Sequence, residues 1–137
     1  MIMARGNAVG KLVVITGVAR GLGRALAEGF AAKGHRVVGC SRSENKIAEL
    51  EKALDHSHSF SVVDVRDDDA VRDWASTAVR EYGAPDLLLN NAGVINKSKF
   101  LWDVSAAEFD VIVDTNIKGV TNVIRHFLPS MAREQSG

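Results

Sequence analysis

Three glycines and the strand-like run before them form the first pattern in this sequence that could do chemistry. Gly17, Gly21 and Gly23 follow Val13–Thr16 at G-x-x-x-G-x-G spacing, and a helix-like run begins directly afterwards. A strand, a glycine turn and a helix start together present backbone N–H groups to a phosphate. Such glycines make the turn tight, let a ligand approach the backbone, and allow close packing of helix on strand. The alternative is that these glycines serve the turn alone.

A second pattern, at the end of the second predicted strand, concerns the ribose of a dinucleotide. Dinucleotide-binding folds place an acidic residue there for the ribose 2′-hydroxyl, whereas an arginine accommodates a 2′-phosphate. This chain reads Ser41-Arg42-Ser43, and its next acidic residue, Glu44, belongs to the following helix. Arg42 offers a forked, permanently charged donor set, and Arg20 adds a positive charge from the glycine loop. The pattern favours NADP(H) over NAD(H); the alternative is that Arg42 is a solvated surface charge.

Further polar residues follow the next two strands or lie within a helix. Asp64 ends the third strand, at the edge where open α/β sheets bind ligands, and could accept a hydrogen bond from adenine or simply cap the next helix. The run Asn90–Gly93 follows the fourth strand and is either a close backbone approach to a ligand or an ordinary turn. Asn116 is expected in mid-helix on the face of Ile112 and Val120, where a buried amide needs a hydrogen-bond partner. A satisfied core amide is the alternative there.

The elements that position these residues alternate between strands and helices. Apolar and β-branched runs predict strands at Lys11–Thr16, Arg36–Cys40, Ser59–Val63 and Asp86–Asn90. Spacing and capping residues predict helices at Gly21–Lys33, Ser43–Leu54, from the caps Asp67–Asp69 to Tyr82, and from Ser105 to about Arg133. The fourth strand is apolar without alternation, as in a parallel sheet that is covered on both faces. This order of elements predicts an α/β fold with a doubly wound sheet.

Composition limits the class of protein. The 137 residues suffice for one domain, with residues 1–10 expected to be loose and residues 11–137 to form the domain. Lys+Arg and Asp+Glu are equal at 17 each, so no net charge draws the chain to nucleic acid or to an anionic membrane. No apolar run approaches the roughly 18 residues of a membrane span. The lone Cys40, expected as a small buried side chain, fits a reducing compartment, and we expect a cytoplasmic protein.

The motifs Thr16-Gly17-x-x-x-Gly21-x-Gly23, Asp64-Val65, Asn90-Asn91-Ala92-Gly93 and Asn116 together resemble those of the short-chain dehydrogenase/reductase family, in order and in spacing. The resemblance implies a Rossmann-type, three-layer fold that binds NADP(H). The cofactor contacts it implies are Gly17, Arg20, Gly21, Leu22, Gly23, Ser41, Arg42, Asp64, Val65, Asn91, Ala92 and Gly93. Asn116 would match the catalytic Asn of the family, which holds a water in a proton relay.

The resemblance also implies a reaction. The sequence, however, departs from the family in the residues that catalyse this reaction. Further stretches, among them Val38–Ser43 and Val94–Lys97, are similar to a plant aldehyde reductase of the family. The family implies NADPH-dependent reduction of a small-molecule aldehyde or ketone, by a homo-oligomer when the protein is complete. The family's Ser and Tyr-x-x-x-Lys pair do not follow Asn116, and the one tyrosine, Tyr82, has Asp86 four residues later.

The departure predicts a fold that is truncated after the fourth strand and the long helix. We therefore expect this chain to be inactive alone, as one half of a reductase. A non-catalytic NADP-binding or interaction module is the alternative. Two physical consequences are expected: the fourth strand becomes an unpaired sheet edge, and the long helix exposes apolar surface.

Overall fold

The computed structural model describes residues 10–135 and residue 137, and its elements follow the predicted alternation. The strands are β1 (Leu12–Thr16), β2 (Arg36–Ser41), β3 (Ser59–Val62) and β4 (Leu87–Leu89). The helices are α1 (Gly21–Ala32), α2 (Glu44–Ala53), α3 (Asp68–Tyr82), α4 (Ala106–Val113) and α5 (Val120–Glu134). A short 3-10 turn, Leu101–Asp103, precedes α4, and a π-helical segment, Asp114–Gly119, joins α4 to α5. The predicted loose N-terminus lies outside the described residues, apart from Gly10.

The strands form one parallel sheet in the order β3-β2-β1-β4. Val14 in β1 lies opposite Val38 in β2 on one side and opposite Leu88 in β4 on the other. The chain winds outward from β1 to β3 and then crosses back to β4, so the strand order reverses between β1 and β4. Ligands of open α/β sheets bind at such a switch point, outside the carboxyl ends of the strands.

Helices cover both faces of this sheet, and alternate residues of each strand point to opposite faces. Val14 belongs to the core that the sheet shares with α3 and α5, and Val13 to the core that it shares with α1 and α2. In the first of these cores Trp74 meets Phe127 edge-on, with ring centroids 5.0 Å apart. The predicted doubly wound, three-layer fold is therefore confirmed.

Two of the helices that flank the ligand edge begin with a side-chain cap, and α1 does not. Asp67 accepts a hydrogen bond from the Ala70 N–H at 3.0 Å and caps α3. Ser105 and Glu108 form the predicted capping box of α4. Helix α1 follows Arg20 without a side-chain cap and has no acidic residue in its first turn. Its positive end is thus not compensated by a carboxylate or a hydroxyl of a capping residue.

The long helix predicted from Ser105 is present, but its predicted apolar side is only partly buried. Phe127 is fully buried, whereas Phe109 is 51%, Ile117 60% and Ile124 39% exposed. β4 lies at the edge of the described sheet, and its Leu87 is 36% exposed. The expected edge strand and exposed apolar surface are both seen in the described part of the chain. Among residues 10–135 and 137, no helix has the length and apolar character needed to cross a bilayer.

Candidate functional site

One cavity of about 340 Å³ lies outside the carboxyl ends of the strands. Its wall consists of the glycine loop after β1, the end of β2, the connection from β3 to α3, and the segment after β4. Every residue that the sequence predicts to contact the cofactor lines this cavity. The volume falls in the range of small-molecule sites, about 300–1,000 Å³. The structure thus brings the predicted contacts together, and their individual roles remain predictions.

The glycine loop forms a cradle whose glycines differ in what surrounds them. Gly17 and Gly21 have φ angles of 76° and 56°, a backbone conformation that L side chains rarely adopt. A Cβ atom at Gly23 would lie 2.0 Å from the carbonyl oxygen of Gly17, so helix and strand meet there without room for a side chain. A Cβ atom at Gly21 would meet nothing within 4 Å. The open side at Gly21, next to the uncapped start of α1, fits a phosphate group.

Asn91 and Thr16 fasten β1 to the segment after β4. The Asn91 Nδ2 donates to the carbonyl oxygens of Thr16 at 3.0 Å and Gly17 at 3.2 Å. The buried Thr16 Oγ1 accepts from the backbone N–H groups of Asn91 at 3.1 Å and Ala92 at 2.9 Å. Both amide hydrogens of Asn91 are therefore committed to backbone oxygens, which fixes the glycine loop at the switch point.

The edge of the cavity near the end of β2 is basic. A neighbouring cavity is lined by Arg20, Arg42, Lys46 and the serines of the intervening turn. In the described part of the chain, neither Arg20 nor Arg42 forms a salt bridge. Lys46, in the first turn of α2, pairs with Glu49 at 2.9 Å. The sequence prediction missed Lys46, although a lysine in the first turn of the helix that follows Arg42 was a visible signal. The three side chains give this edge positive charge, and those of Arg20 and Arg42 are not paired with a carboxylate of the described residues.

Asp64 lines the cavity, but its carboxylate already accepts hydrogen bonds from Arg66. Arg66 donates to it from its backbone N–H at 3.0 Å, from Nε at 3.0 Å to each oxygen, and from Nη2 at 2.6 Å. These hydrogen bonds from Arg66 lower the pKa of the Asp64 carboxyl below its usual value, so it is ionised near neutral pH. Asp67, not Asp64, caps α3. An adenine amino group would have to share Asp64 with Arg66, a partner that the sequence prediction did not consider.

Asn116 is not the buried amide that the sequence predicts. It is exposed, and its side chain bonds the backbone of Val94: Oδ1 accepts from the N–H at 2.8 Å, and Nδ2 donates to the carbonyl oxygen at 2.8 Å. Asn116 lies inside the π-helical segment, whose buried positions are Thr115 and Gly119. Ile112 and Val120 are only partly buried, so the face that they mark is not the core-facing side of this segment, and Asn116 lies beside the cavity wall at Val94.

The residue before it, Thr115, is buried and lines the cavity. Its Oγ1 has no hydrogen-bond partner among the described residues. A buried hydroxyl of this kind requires a partner, so the wall fits a ligand with polar groups. Cys40 also lines the cavity, and burial raises the pKa of its thiol to about 12. As expected, Cys40 is a small buried side chain that stays protonated near neutral pH.

Comparison with known proteins identifies a family and similar proteins. The family model described as short chain dehydrogenase matches residues 11–137. An NADPH-dependent pterin aldehyde reductase from Arabidopsis thaliana is 47% identical over 129 residues, which are 93% of this chain and 53% of that protein. A 3-oxoacyl-[acyl-carrier-protein] reductase from Escherichia coli K12 is 30% identical over 96% of this chain and 53% of that protein. The chain therefore spans about half the length of these curated relatives, and the predicted resemblance to a plant aldehyde reductase is confirmed.

Solved structures are similar in fold as well. The closed form of a serine dehydrogenase complexed with NADP+ superimposes with a TM-score of 0.88 at 28% identity, over 92% of this chain and 51% of that one. A 3-ketoacyl-(acyl-carrier-protein) reductase from Brucella melitensis, complexed with NADH, gives a TM-score of 0.87 at 29% identity, over 91% of this chain and 52% of that one. The two neighbours carry different nicotinamide cofactors, so the choice between them has to be argued from the residues of the site.

Proposed function

The chain belongs to the short-chain dehydrogenase family, and from that premise we propose that it forms the NADP(H)-binding half of an oxidoreductase that reduces a carbonyl compound. One observation carries the proposal: a single cavity joins an open glycine cradle to an edge with Arg20 and Arg42. An aldehyde is the proposed substrate class. A pterin aldehyde is the first substrate to test, because the Arabidopsis relative named for that activity is 47% identical.

The residues of the cavity divide among the parts of such a cofactor. The diphosphate would lie on the backbone N–H groups at Gly21, where a Cβ atom would meet nothing within 4 Å. Arg20 and Arg42 would bind the 2′-phosphate, and Lys46 would add a third positive charge from α2. When bound, NADPH supplies the hydride for carbonyl reduction. The chain's own residues bind and orient it, and Cys40 takes no part as a nucleophile, because its thiol stays protonated.

The adenosine and nicotinamide ends would lie on opposite sides of this cradle. Val65 and Asp64 form the wall after β3, and Ala92 and Gly93 form the wall after β4. Asn116 would act from beside the nicotinamide end, where it holds the backbone of Val94. In its proposed catalytic role, Asn116 would hold a water. Its hydrogen bonds to the backbone of Val94 already orient the side chain for this role.

A non-catalytic NADP-binding module is the second candidate, and one observation favours it. Within the chain, Tyr82 is followed four residues later by Asp86 and not by a lysine. The one tyrosine, Tyr82, lies at the end of α3, with the Arg36 guanidinium over its ring at 5.0 Å. Arg36 begins β2, so this ring lies at the edge of the sheet opposite to the cavity. It therefore has no route to a substrate bound there.

Titration of the full chain with NADPH and with NADH tests the proposal. We expect NADPH to bind more tightly than NADH. Arg42→Met should weaken NADPH binding by about 10–100-fold, because a charge-assisted hydrogen bond is worth about 1.5–3 kcal/mol, and should leave NADH binding unchanged. Arg80→Met is the matched control, since Arg80 is an exposed arginine on α3 that pairs with Glu81 at 3.7 Å.

Turnover then separates the two candidates. NADPH oxidation with a pterin aldehyde or a simple aldehyde supports the reductase, and tight NADPH binding without turnover of any aldehyde supports the module. An equal loss of NADPH and NADH affinity in Arg42→Met would contradict the assignment of Arg42 to the 2′-phosphate. If neither nucleotide binds, both candidates are wrong.

A further inference from the structure

A buried amide on α5 holds the cavity wall from behind. Asn122 is 7% exposed, and its Nδ2 donates to the carbonyl oxygen of Val65 at 3.0 Å. Val65 is itself buried and lines the cavity. The two residues are 57 positions apart in the sequence, so this hydrogen bond joins a helix to a distant connection.

The wall at Val65 has little other backbone support. Strand β3 ends at Val62, and one further backbone hydrogen bond reaches β2, from the Val63 N–H to the Ser41 carbonyl oxygen at 3.0 Å. The chain then turns, with the Asp67 N–H donating to the Asp64 carbonyl oxygen at 3.0 Å. The Val65 carbonyl oxygen, which lies within this turn, takes its hydrogen bond from the side chain of Asn122.

The helix also meets the Val65 side chain directly. A Cβ atom at Gly119 would lie 2.6 Å from Cγ2 of Val65, so the helix backbone packs against this side chain without a side chain of its own. Gly119 lies one turn before Asn122. Val65 is therefore held at two points by consecutive turns of the helical segment.

Asn122 is in turn held by charged neighbours. Its Oδ1 accepts from Nη1 of Arg125 at 2.9 Å, and the same nitrogen donates to Asp68 at 2.6 Å. His126 Nε2 lies 2.9 Å from the same Asp68 oxygen. The hydrogen bonds from His126 and Arg125 lower the pKa of Asp68, so its carboxylate is ionised near neutral pH. These contacts tie α5 to the first residue of α3, directly after the wall segment.

We propose that Asn122 is a positioning residue that sets the adenosine side of the cavity through Val65. The inference rests on the proposed NADP(H) function and adds a residue to it. The amide fixes the place of the Val65 carbonyl group and thereby the separation of this wall from the glycine loop. Arg125 and Asp68 keep the amide in the orientation that donates to Val65.

Binding of two halves of the cofactor to the full chain is measured. It distinguishes a positioning role of Asn122 from a role in overall stability. Adenosine 2′,5′-bisphosphate probes the adenosine side, and reduced nicotinamide mononucleotide probes the other. Asn122→Leu should weaken binding of the bisphosphate by about tenfold, the value of one lost hydrogen bond of about 1–1.5 kcal/mol, and leave the mononucleotide unchanged. Arg125→Met, a change at a half-exposed side chain, should weaken the bisphosphate about threefold, and it replaces Asn122→Leu if that variant does not fold.

Ser130→Ala is the matched control on the same helix. Ser130 is buried, and its hydroxyl donates to the Phe127 carbonyl oxygen at 2.7 Å, two turns beyond Asn122. This variant should melt at a lower temperature and bind both half-cofactors as the parent does. An equal loss of both half-cofactors in the Asn122 and Arg125 variants, or a loss of neither, overturns the inference while the proposed function stands. Failure of the parent chain to bind NADPH overturns both.

Discussion

Replacement of Gly23 by alanine tests whether the glycine loop is held by close packing. The added Cβ would lie 2.0 Å from the Gly17 carbonyl oxygen and 2.4 Å from Nδ2 of Asn91. Neither group can yield cheaply, because Asn91 donates to the carbonyl oxygens of Thr16 and Gly17 at 3.0 and 3.2 Å. Overpacking costs about 1–3 kcal/mol, and each lost hydrogen bond costs about 1 kcal/mol. The free energy of unfolding should therefore fall by about 4 kcal/mol.

Thermal melting of the full chain measures this loss. For a chain of this size, about 4 kcal/mol should lower Tm by more than about 10 °C. Gly29→Ala is the control, since Gly29 is exposed in the middle of α1 and a Cβ atom there would meet nothing within 4 Å. It should raise the free energy of unfolding by roughly 0.5–1 kcal/mol, because alanine is the better helix former. A Gly23→Ala protein that melts within about 3 °C of the parent would refute the packing argument.

Two further predictions concern the same cavity. Gly21→Ala should cost only about 1–2 kcal/mol of stability, from the left-handed φ of 56°, yet should weaken NADPH binding at least tenfold in a fluorescence titration; unchanged affinity would exclude Gly21 from the phosphate cradle. The raised pKa of Cys40, about 12 against 9.0 for a free thiol, predicts that stability falls by up to about 1.4 kcal/mol per pH unit between these values. The unfolded chain loses the proton there while the folded chain keeps it. Urea unfolding at pH 8, 9.5 and 10.5 should show a steeper decline for the parent than for Cys40→Ala, and equal slopes would contradict the assignment.

The features that the sequence predicts correctly are those with local causes. Asp67 caps α3 and Ser105 caps α4 because a short polar side chain at that position can accept from the next turn. Gly34, with a φ of 80°, follows the end of α1 as a glycine after a helix commonly does. The residues around Gly17–Gly23 line one cavity because parallel strands place their carboxyl ends at one edge. Each of these outcomes depends on residues that are neighbours in the sequence or in the repeating order of elements.

The features that the sequence does not predict depend on side-chain direction. The apolar pattern predicts a buried Asn116, but the buried positions of this segment are Thr115 and Gly119, and Asn116 is exposed. The contact of Arg66 with the Asp64 carboxylate is not predicted, since nothing in the spacing requires an arginine two positions later to fold back. The bond from Asn122 to Val65 joins positions 57 apart. No periodicity in a single sequence encodes a contact of that kind.

Three asparagines explain why the cavity has a defined shape around its proposed ligand. Asn91 joins β4 to β1, Asn116 joins the helical segment to the backbone of Val94, and Asn122 joins α5 to the backbone of Val65. Asn91 donates to the last residue of β1, and Asn116 and Asn122 bond the backbone beyond the ends of β4 and β3, where the ladder of backbone hydrogen bonds has stopped. An amide side chain offers both a donor and an acceptor, so it can take over the pairing that the strand no longer supplies. A site built in this way meets its ligand with the walls already ordered, and less of the binding energy is spent on fixing them.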